Sequence, residues 1–234
     1  MRINKFISET GYCSRREADK LVEEGRVTVN GVKAVLGSQA EAGDEVRIDG
    51  RPLAAENRIV YIALNKPVGI TSTTESQIKG NIVDFVGHRE RIFPIGRLDK
   101  DSEGLILLTN DGDIVNRILR AEGRHEKEYV VTVDRPITPS FVQGMSSGVR
   151  ILGERTLPCQ VTRINERVFR IILTEGKNRQ IRRMCSAFGY EVRRLQRIRI
   201  MNIRLGNLPV GQWRDLTADE KAVLGEMLDY RLLD

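Results

Sequence analysis

GRLDKDSEGLILLTND, residues 96–111, joins a glycine-flanked loop of charged residues to the apolar run Leu105–Thr109. A short apolar run bounded by such a loop predicts a buried strand, which would hold the loop in a fixed position. An aspartate in a turn usually caps a backbone N–H, so Asp99 taken alone is typical of a surface turn. The stretch predicts a strand-supported loop and leaves its chemistry to be decided by the rest of the chain.

The chain around this stretch predicts an α+β fold. Strand-like runs do not alternate regularly with helical ones, which favours a large, mixed, mostly antiparallel sheet flanked by helices over a doubly wound parallel sheet. We predict strands at 59–65, 105–109, 127–133, 156–163, 168–174 and 192–205, and helices near 81–86, 113–120, 138–145, 178–188 and 217–229.

Residues 1–50 predict a separate small domain of two helices and a small sheet. The second helix opens with the capping-box pattern Ser14-Arg15-Arg16-Glu17, and Asn30-Gly31 between β-branched residues predicts a hairpin. Residues 51–58 are polar and are interpreted as a linker. We therefore divide the chain into a first domain at 1–50, a linker at 51–58 and a second domain at 59–234.

The charge distribution points to a polyanionic partner. The net charge is +6 and the pI is about 9.4. Residues 177–204 hold nine basic residues and one acidic residue, Glu191. An exposed helix face can carry such a run without binding anything, but the imbalance favours nucleic acid as the partner.

Composition also excludes several functional classes. Cys13, Cys159 and Cys185 are odd in number and far apart, and the chain has two histidines, so neither a disulfide framework nor a transition-metal centre is predicted. We expect no metal and no cofactor. No signal-peptide pattern follows Met1 and no apolar run approaches membrane-spanning length, so we expect a cytoplasmic protein without membrane contact.

Four motifs occur in a fixed order along the chain: ALNKPVG (63–69), GRLDKDSEGLILLTND (96–111), KEYVVTV (127–133) and EGKNRQIRRM (175–184). Together they resemble the motif set of the RsuA-like family of bacterial pseudouridine synthases, and residues 1–50 resemble the S4 RNA-binding domain that precedes the catalytic domain in that family. The runs 91–113 and 188–203 look closest to a synthase that modifies large-subunit ribosomal RNA. Ser102 departs from the family pattern, which has Thr there, but keeps the hydroxyl.

The resemblance implies isomerisation of uridine to pseudouridine in ribosomal RNA, most closely 23S rRNA, with a tRNA as a further candidate, by a monomer. It implies that Asp99 is the catalytic aspartate, Tyr129 the aromatic residue beside the uracil and Arg182 the partner that holds Asp99. Asp99 would attack C1′ or take the 2′-proton, and both routes stay open. The target base would be flipped out of the RNA helix. The residues expected to bind substrate or RNA are Arg97, Lys66, Arg179, Gln180, Arg15, Arg16, Lys20 and Arg26.

Two other functions fit parts of the sequence. A non-catalytic RNA-binding or ribosome-assembly protein would explain the charge and the first domain, but not the loop at Asp99. A glycosidase would pair Asp99 with Asp101 or Glu103 as a second carboxylate. The mass of the RNA product distinguishes base loss from isomerisation.

Overall fold

A computed structural model describes residues 1–54, 58–120 and 124–233. Its first unit packs two helices, α1 (Ile3–Glu9) and α2 (Arg15–Glu23), against a four-stranded antiparallel sheet of order β2-β1-β3-β4. The strands are β1 (Val27–Val29), β2 (Val32–Lys33), β3 (Val46–Ile48) and β4 (Arg51–Pro52). The predicted composition of two helices and a small sheet is confirmed.

Local sequence signals set the bounds of these elements. The Ser14 side chain accepts from the Glu17 backbone N–H and the Glu17 side chain accepts from Ser14, which forms the predicted capping box of α2. Asn30 and Gly31 both have positive φ, of 50° and 81°, as a two-residue type I′ hairpin turn requires.

The predicted linker needs a correction at its start. Arg51 and Pro52 pair with Ile48 and Arg47 in the sheet, and the backbone N–H of Leu53 donates to Val46. These residues have few large apolar side chains, but backbone hydrogen bonds rather than burial keep them in the sheet. Residues 55–57 of the linker lie outside the described part of the chain.

The second unit is built on a nine-stranded sheet whose main order is β11-β12-β8-β13-β7-β5-β15, with β14 paired to β13 and β6 to β7. Its pairs are antiparallel except β7 with β13, so the predicted mixed, mostly antiparallel sheet is confirmed. The strands are β5 (Tyr61–Lys66), β6 (Phe93–Pro94), β7 (Glu103–Thr109), β8 (Lys127–Val133), β11 (Gln160–Asn165), β12 (Val168–Leu173), β13 (Val192–Ile200), β14 (Ile203–Arg204) and β15 (Trp213–Asp215). A separate hairpin is formed by β9 (Arg150–Ile151) and β10 (Glu154–Arg155).

Within the described ranges, five helices flank this sheet, and each lies within two residues of its predicted bounds. They are α3 (Ile82–Val86), α4 (Gly112–Leu119), α5 (Pro139–Ser146), α6 (Gln180–Ala187) and α7 (Ala218–Leu228). Three apolar clusters form between helices and sheet: one includes α5 and α6 residues, one α4 and α7 residues, and one Ile82 of α3. Among the described residues, no helix is both long and apolar enough to cross a bilayer.

The contact between β7 and β13 joins the two halves of the large sheet. These strands pair in parallel only where Gln196 meets Glu103 and Arg197 meets Gly104. Gly104 has a φ of 106°, and a Cβ there would lie 2.2 Å from the carbonyl oxygen of Arg197. Only glycine fits both the backbone conformation and this close approach.

Gly104→Ala is therefore expected to destabilise the protein by about 2–4 kcal/mol, because the new methyl group meets backbone rather than a flexible side chain. The free energy of unfolding, measured by urea denaturation, tests this. Gly112→Ala is the matched control, since Gly112 begins α4, has no positive φ and has open space around its Cβ position. Equal stability of the two variants would show that the strand contact is looser than described.

Candidate active site

A cleft of about 740 Å³ opens beside the short contact between β7 and β13. It is lined by the loop at Asp99, by the start of β8 and by the segment that leads into α6. Of the residues predicted for the site, those that line this cleft are Asp99, Arg97, Tyr129, Arg179, Gln180 and Arg182. The structure thus brings together residues of three motifs that are up to 85 positions apart in sequence, from Arg97 to Arg182.

The loop that carries Asp99 is held at both ends. The Ser72 hydroxyl donates to the Leu98 carbonyl oxygen at 2.9 Å, and the Ser102 backbone N–H donates to the Asp99 carbonyl oxygen at 3.0 Å. The Asp99 side chain remains 38% exposed, toward the cleft that it lines. The backbone on both sides of Asp99 is therefore fixed, while its carboxylate stays accessible to a substrate.

The arginines of the α6 segment bind Asp101 more closely than Asp99. Arg179 makes a bidentate pair with the Asp101 carboxylate at 2.9 and 2.8 Å, whereas its Nη1 lies 3.4 Å from Asp99 Oδ2. This pair, above all the hydrogen bonds from Arg179, lowers the pKa of Asp101 from 3.8 to about 2. Asp101 therefore stays ionised at neutral pH and neutralises much of the charge of Arg179.

The predicted pairing of Arg182 with Asp99 is wrong in this structure. Arg182 Nη2 donates to the Asp101 carbonyl oxygen and to Ser102 Oγ, both at 3.0 Å, and its Nη1 lies 3.6 Å from Asp101 Oδ2. Arg182 contacts the loop two and three residues after Asp99, and Arg179 is the arginine beside Asp99. The Ser102 hydroxyl, the group kept in place of the family's threonine, is one of its acceptors.

Arg179 reaches both carboxylates from an uncommon backbone conformation. It is the N-cap of α6 and has φ 49° and ψ 40°, in the left-handed region that non-glycine residues seldom adopt. The strain is offset by the bidentate pair with Asp101 and by the contact with Asp99. These contacts hold the segment before α6 against the loop that carries Asp99.

Tyr129 and Arg97 are positioned differently around the same cleft. Tyr129 is half-buried on β8, between Ile171 of β12 and Arg197 of β13. Arg97 is exposed at the rim of the cleft. A tyrosine on a rigid strand can stack its ring on a flat ligand, whereas an exposed arginine can bind a phosphate group.

Lys66 does not line the cleft as predicted. It is fully buried, and its Nζ donates to the carbonyl oxygens of Pro67 and Ile70 at 2.8 and 2.9 Å. Burial lowers the pKa of Lys66 to about 8, although Asp101 and Asp99 act in the opposite direction. Its role in the structure is to close the turn that follows β5.

Gln180 also serves the protein rather than a ligand. It is 4% exposed, accepts from the Lys177 backbone N–H at 3.0 Å and donates to Glu175 at 2.9 Å. Its amide is thus occupied in holding the segment before α6, which corrects its assignment as an RNA-binding residue. The apolar pattern of α6 did not show that this polar residue faces inward.

The basic residues of the first unit are only partly available for RNA. Arg16 and Lys20 are exposed on α2, and Arg15 is exposed but lies 3.9 Å from Asp113. Arg26 is occupied: it pairs with Asp49 at 2.7 Å and with Glu24 at 3.0 Å. The prediction that Arg26 binds RNA is therefore corrected, because these two carboxylates neutralise its charge.

Four basic residues that line the cleft were not predicted as site residues: Arg120, Lys127, Lys177 and Arg197. Two of them lie on strands of the large sheet. Arg197 is 4% exposed on β13, and Lys127 is half-buried at the start of β8. The signal was present in the sequence, since Arg197 lies two residues after the buried Leu195 and therefore at an inward-facing position of a strand. Among the described residues, no group of His, Cys, Asp or Glu is arranged to hold a metal ion.

Comparison with known proteins identifies both units. Residues 60–187 match the family model described as RNA pseudouridylate synthase, and residues 1–53 match the S4 domain. The chain is 58% identical to the dual-specificity RNA pseudouridine synthase RluF of Escherichia coli K12 over 98% of its length and 80% of that protein. It is 34% identical to ribosomal large subunit pseudouridine synthase B of Bacillus subtilis, over 98% and 97% of the two chains.

The fold has a solved relative as well. A crystal structure of a pseudouridylate synthase superposes with a TM-score of 0.69 at 28% identity, covering 97% of this chain and 99% of the other.

The Asp101 pair predicts a pH-dependent stability difference. A carboxylate whose pKa is lowered on folding stabilises the protein above its unfolded pKa of about 3.9, and this stabilisation is lost as the pH falls toward 2. After allowance for its partial exposure, Asp101→Asn is expected to cost about 1 kcal/mol at neutral pH. Urea unfolding of both proteins between neutral pH and roughly pH 3 should show the difference shrinking; a constant difference would contradict the ion pair as its cause.

Proposed function

The chain belongs to the RNA pseudouridylate synthase family, and we propose that it modifies large-subunit ribosomal RNA together with a transfer RNA. It is an enzyme that isomerises uridine to pseudouridine in RNA. This excludes the non-catalytic RNA-binding protein and the base-removing glycosidase as its main function.

The substrate proposal has two supports. A relative that is 34% identical is named for the large ribosomal subunit, and relatives near 58% identity are named for dual specificity toward RNA. The basic run at 177–204 and the S4 domain suit folded RNA as the partner. We propose that the enzyme acts as a monomer in the cytoplasm, where its RNA substrates are found.

The observation that carries the catalytic assignment is the accessible carboxylate of Asp99 on a fixed loop in the cleft. Asp101, the other carboxylate of the loop, is engaged by Arg179 and Arg182. In our proposal Asp99 is therefore the group that reacts with the sugar, and Asp101 positions the arginines beside it.

The reaction breaks the bond between C1′ and N1 and forms one between C1′ and C5 of the same uracil. If Asp99 attacks C1′, a sugar ester forms and the uracil leaves with the electron pair of the broken bond. If Asp99 takes the 2′-proton, a glycal forms and the uracil leaves in the same way. In both routes C5 then bonds to C1′ and Asp99 is regenerated, either by release of the ester or by return of its proton to C2′. A base removes the C5 proton and N1 takes up a proton, which gives neutral pseudouridine.

Tyr129 is proposed to lie against the uracil and to assist removal of the C5 proton, directly or through water. Its strand position supports a fixed ring at the cleft wall. Arg97 is proposed to hold the RNA from which the base has been flipped, because it is exposed at the cleft rim. Arg15, Arg16 and Lys20 of the first unit would contribute RNA affinity and register.

Asp99→Asn is expected to lower pseudouridine formation by roughly 10³-fold or more, because the amide neither attacks C1′ nor accepts the 2′-proton. Release of tritium from RNA labelled at C5 of uridine measures the rate, and filter binding measures RNA affinity. Affinity should survive. Asp219→Asn, on the exposed first turn of α7, is the control and should keep full activity. An active Asp99→Asn enzyme would remove Asp99 from the chemistry.

Deleting the gene should remove pseudouridine from at least one site in 23S rRNA and one in a tRNA. Carbodiimide-dependent primer-extension stops, compared between the deletion strain and its parent, locate both. Restoring the wild-type gene should return the stops, and restoring the Asp99→Asn gene should not. Loss in a single RNA class would disprove the proposed dual specificity.

A further inference from the structure

Arg197 is a buried cation with an unused donor. Its Nε donates to the Leu105 carbonyl oxygen at 2.7 Å, so the side chain crosses from β13 to β7 where the two strands separate. Its Nη2 is buried and has no hydrogen-bond partner among the described residues. A buried guanidinium nitrogen without an acceptor is costly and calls for an explanation.

Lys127 is a second cation in the same cleft. It lies two residues before Tyr129 on β8 and lines the cleft with Arg197. Burial lowers the pKa of Lys127, and the positive charge of Arg197 lowers it further. Neither residue forms an ion pair with a carboxylate within the part of the chain that the structure describes, so the positive charge there is not neutralised by the protein.

The reaction provides an anion for these cations. When the C1′–N1 bond breaks, its electron pair stays with the uracil by either route, and the negative charge spreads from N1 to C5 and the two carbonyl oxygens. Donors that meet such developing charge in a buried site contribute strongly to catalysis, because little solvent screens them.

We propose that Arg197 and Lys127 bind the detached uracil and stabilise its negative charge between bond breakage and rejoining at C5. This rests on the proposed role of Asp99, which would generate the anion. In this proposal Arg197 and Lys127 are catalytic residues. Tyr129 pairs with Arg197 across the strands and follows Lys127 by two residues, so its ring would be the surface against which the uracil rotates.

The position of the cations favours the base over a phosphate. Arg197 is almost fully buried at the strand junction, whereas Arg97, another arginine that lines the cleft, is exposed. A base flipped out of an RNA helix enters a pocket, while its phosphates remain at the surface. The buried pair therefore suits the part of the substrate that enters deepest.

The test compares two leaving groups in the same RNA, uridine and 5-fluorouridine at the target position. Fluorine at C5 stabilises the uracil anion by itself, so it needs the cations less. Lys127→Met is expected to lower the single-turnover rate at saturating RNA by roughly 100-fold with uridine. With 5-fluorouridine, the rate of C1′–N1 cleavage is measured by digestion of the RNA and mass spectrometry. The factor by which Lys127→Met lowers this rate should be at least roughly tenfold smaller than the factor with uridine.

Arg197→Lys is a second variant, which keeps the buried charge but removes Nη2. Its rate should also fall less with 5-fluorouridine than with uridine, by a smaller margin than for Lys127→Met. Lys79→Met, an exposed lysine away from the cleft, is the control and should react with both substrates like wild type. Equal losses with the two nucleosides would overturn the proposal, since misfolding or misplacement slows both alike. A loss confined to RNA affinity would overturn it in favour of a phosphate contact. If wild-type enzyme forms no pseudouridine, the proposed function fails instead.

Discussion

The approach of Gly104 to the backbone of Arg197 is the contact on which the site depends. It is the point where β7 and β13 pair, and the parallel pairing extends over only two residues on each strand. The strands then separate, which opens a cleft without any break in the two antiparallel half-sheets. Because β7 follows the loop of Asp99 directly, the same contact sets the distance between Asp99 and the cations of the other half-sheet.

The two aspartates of the loop, Asp99 and Asp101, differ in how closely arginines bind them. Asp101 takes the bidentate pair with Arg179 and the weaker contact with Arg182, and it is held ionised in this way. Among the described residues, the Asp99 carboxylate has one ion-pair contact, with Arg179 Nη1 at 3.4 Å. Asp101 is therefore the more strongly bound of the two carboxylates, and Asp99 is the more available to a substrate.

Much of the fold was predictable because its signals are local. Apolar periodicity located the helices, and Ser14 with Glu17 marked a helix start. The roles of individual side chains were less predictable because they depend on contacts distant in sequence. Gln180 and Lys66 look like ligand-binding residues in their motifs, but each satisfies backbone groups instead. The choice of Arg179 over Arg182 as the neighbour of Asp99 follows from one left-handed residue, which no pattern in the sequence indicates.

The attachment of the first unit to the second differs in kind from the contacts inside each unit. The apolar cluster of the first unit draws only on residues up to Leu53, while Lys5 and Arg15 reach Asp113, and Glu17 reaches Arg91. Such exposed pairs contribute up to about 1 kcal/mol each and weaken with salt. Arg15 is also proposed to bind RNA, so phosphate and Asp113 compete for it. For Arg15, binding of a phosphate and the contact with Asp113 are therefore alternatives, whereas the pairs of Lys5 and Arg91 do not depend on RNA.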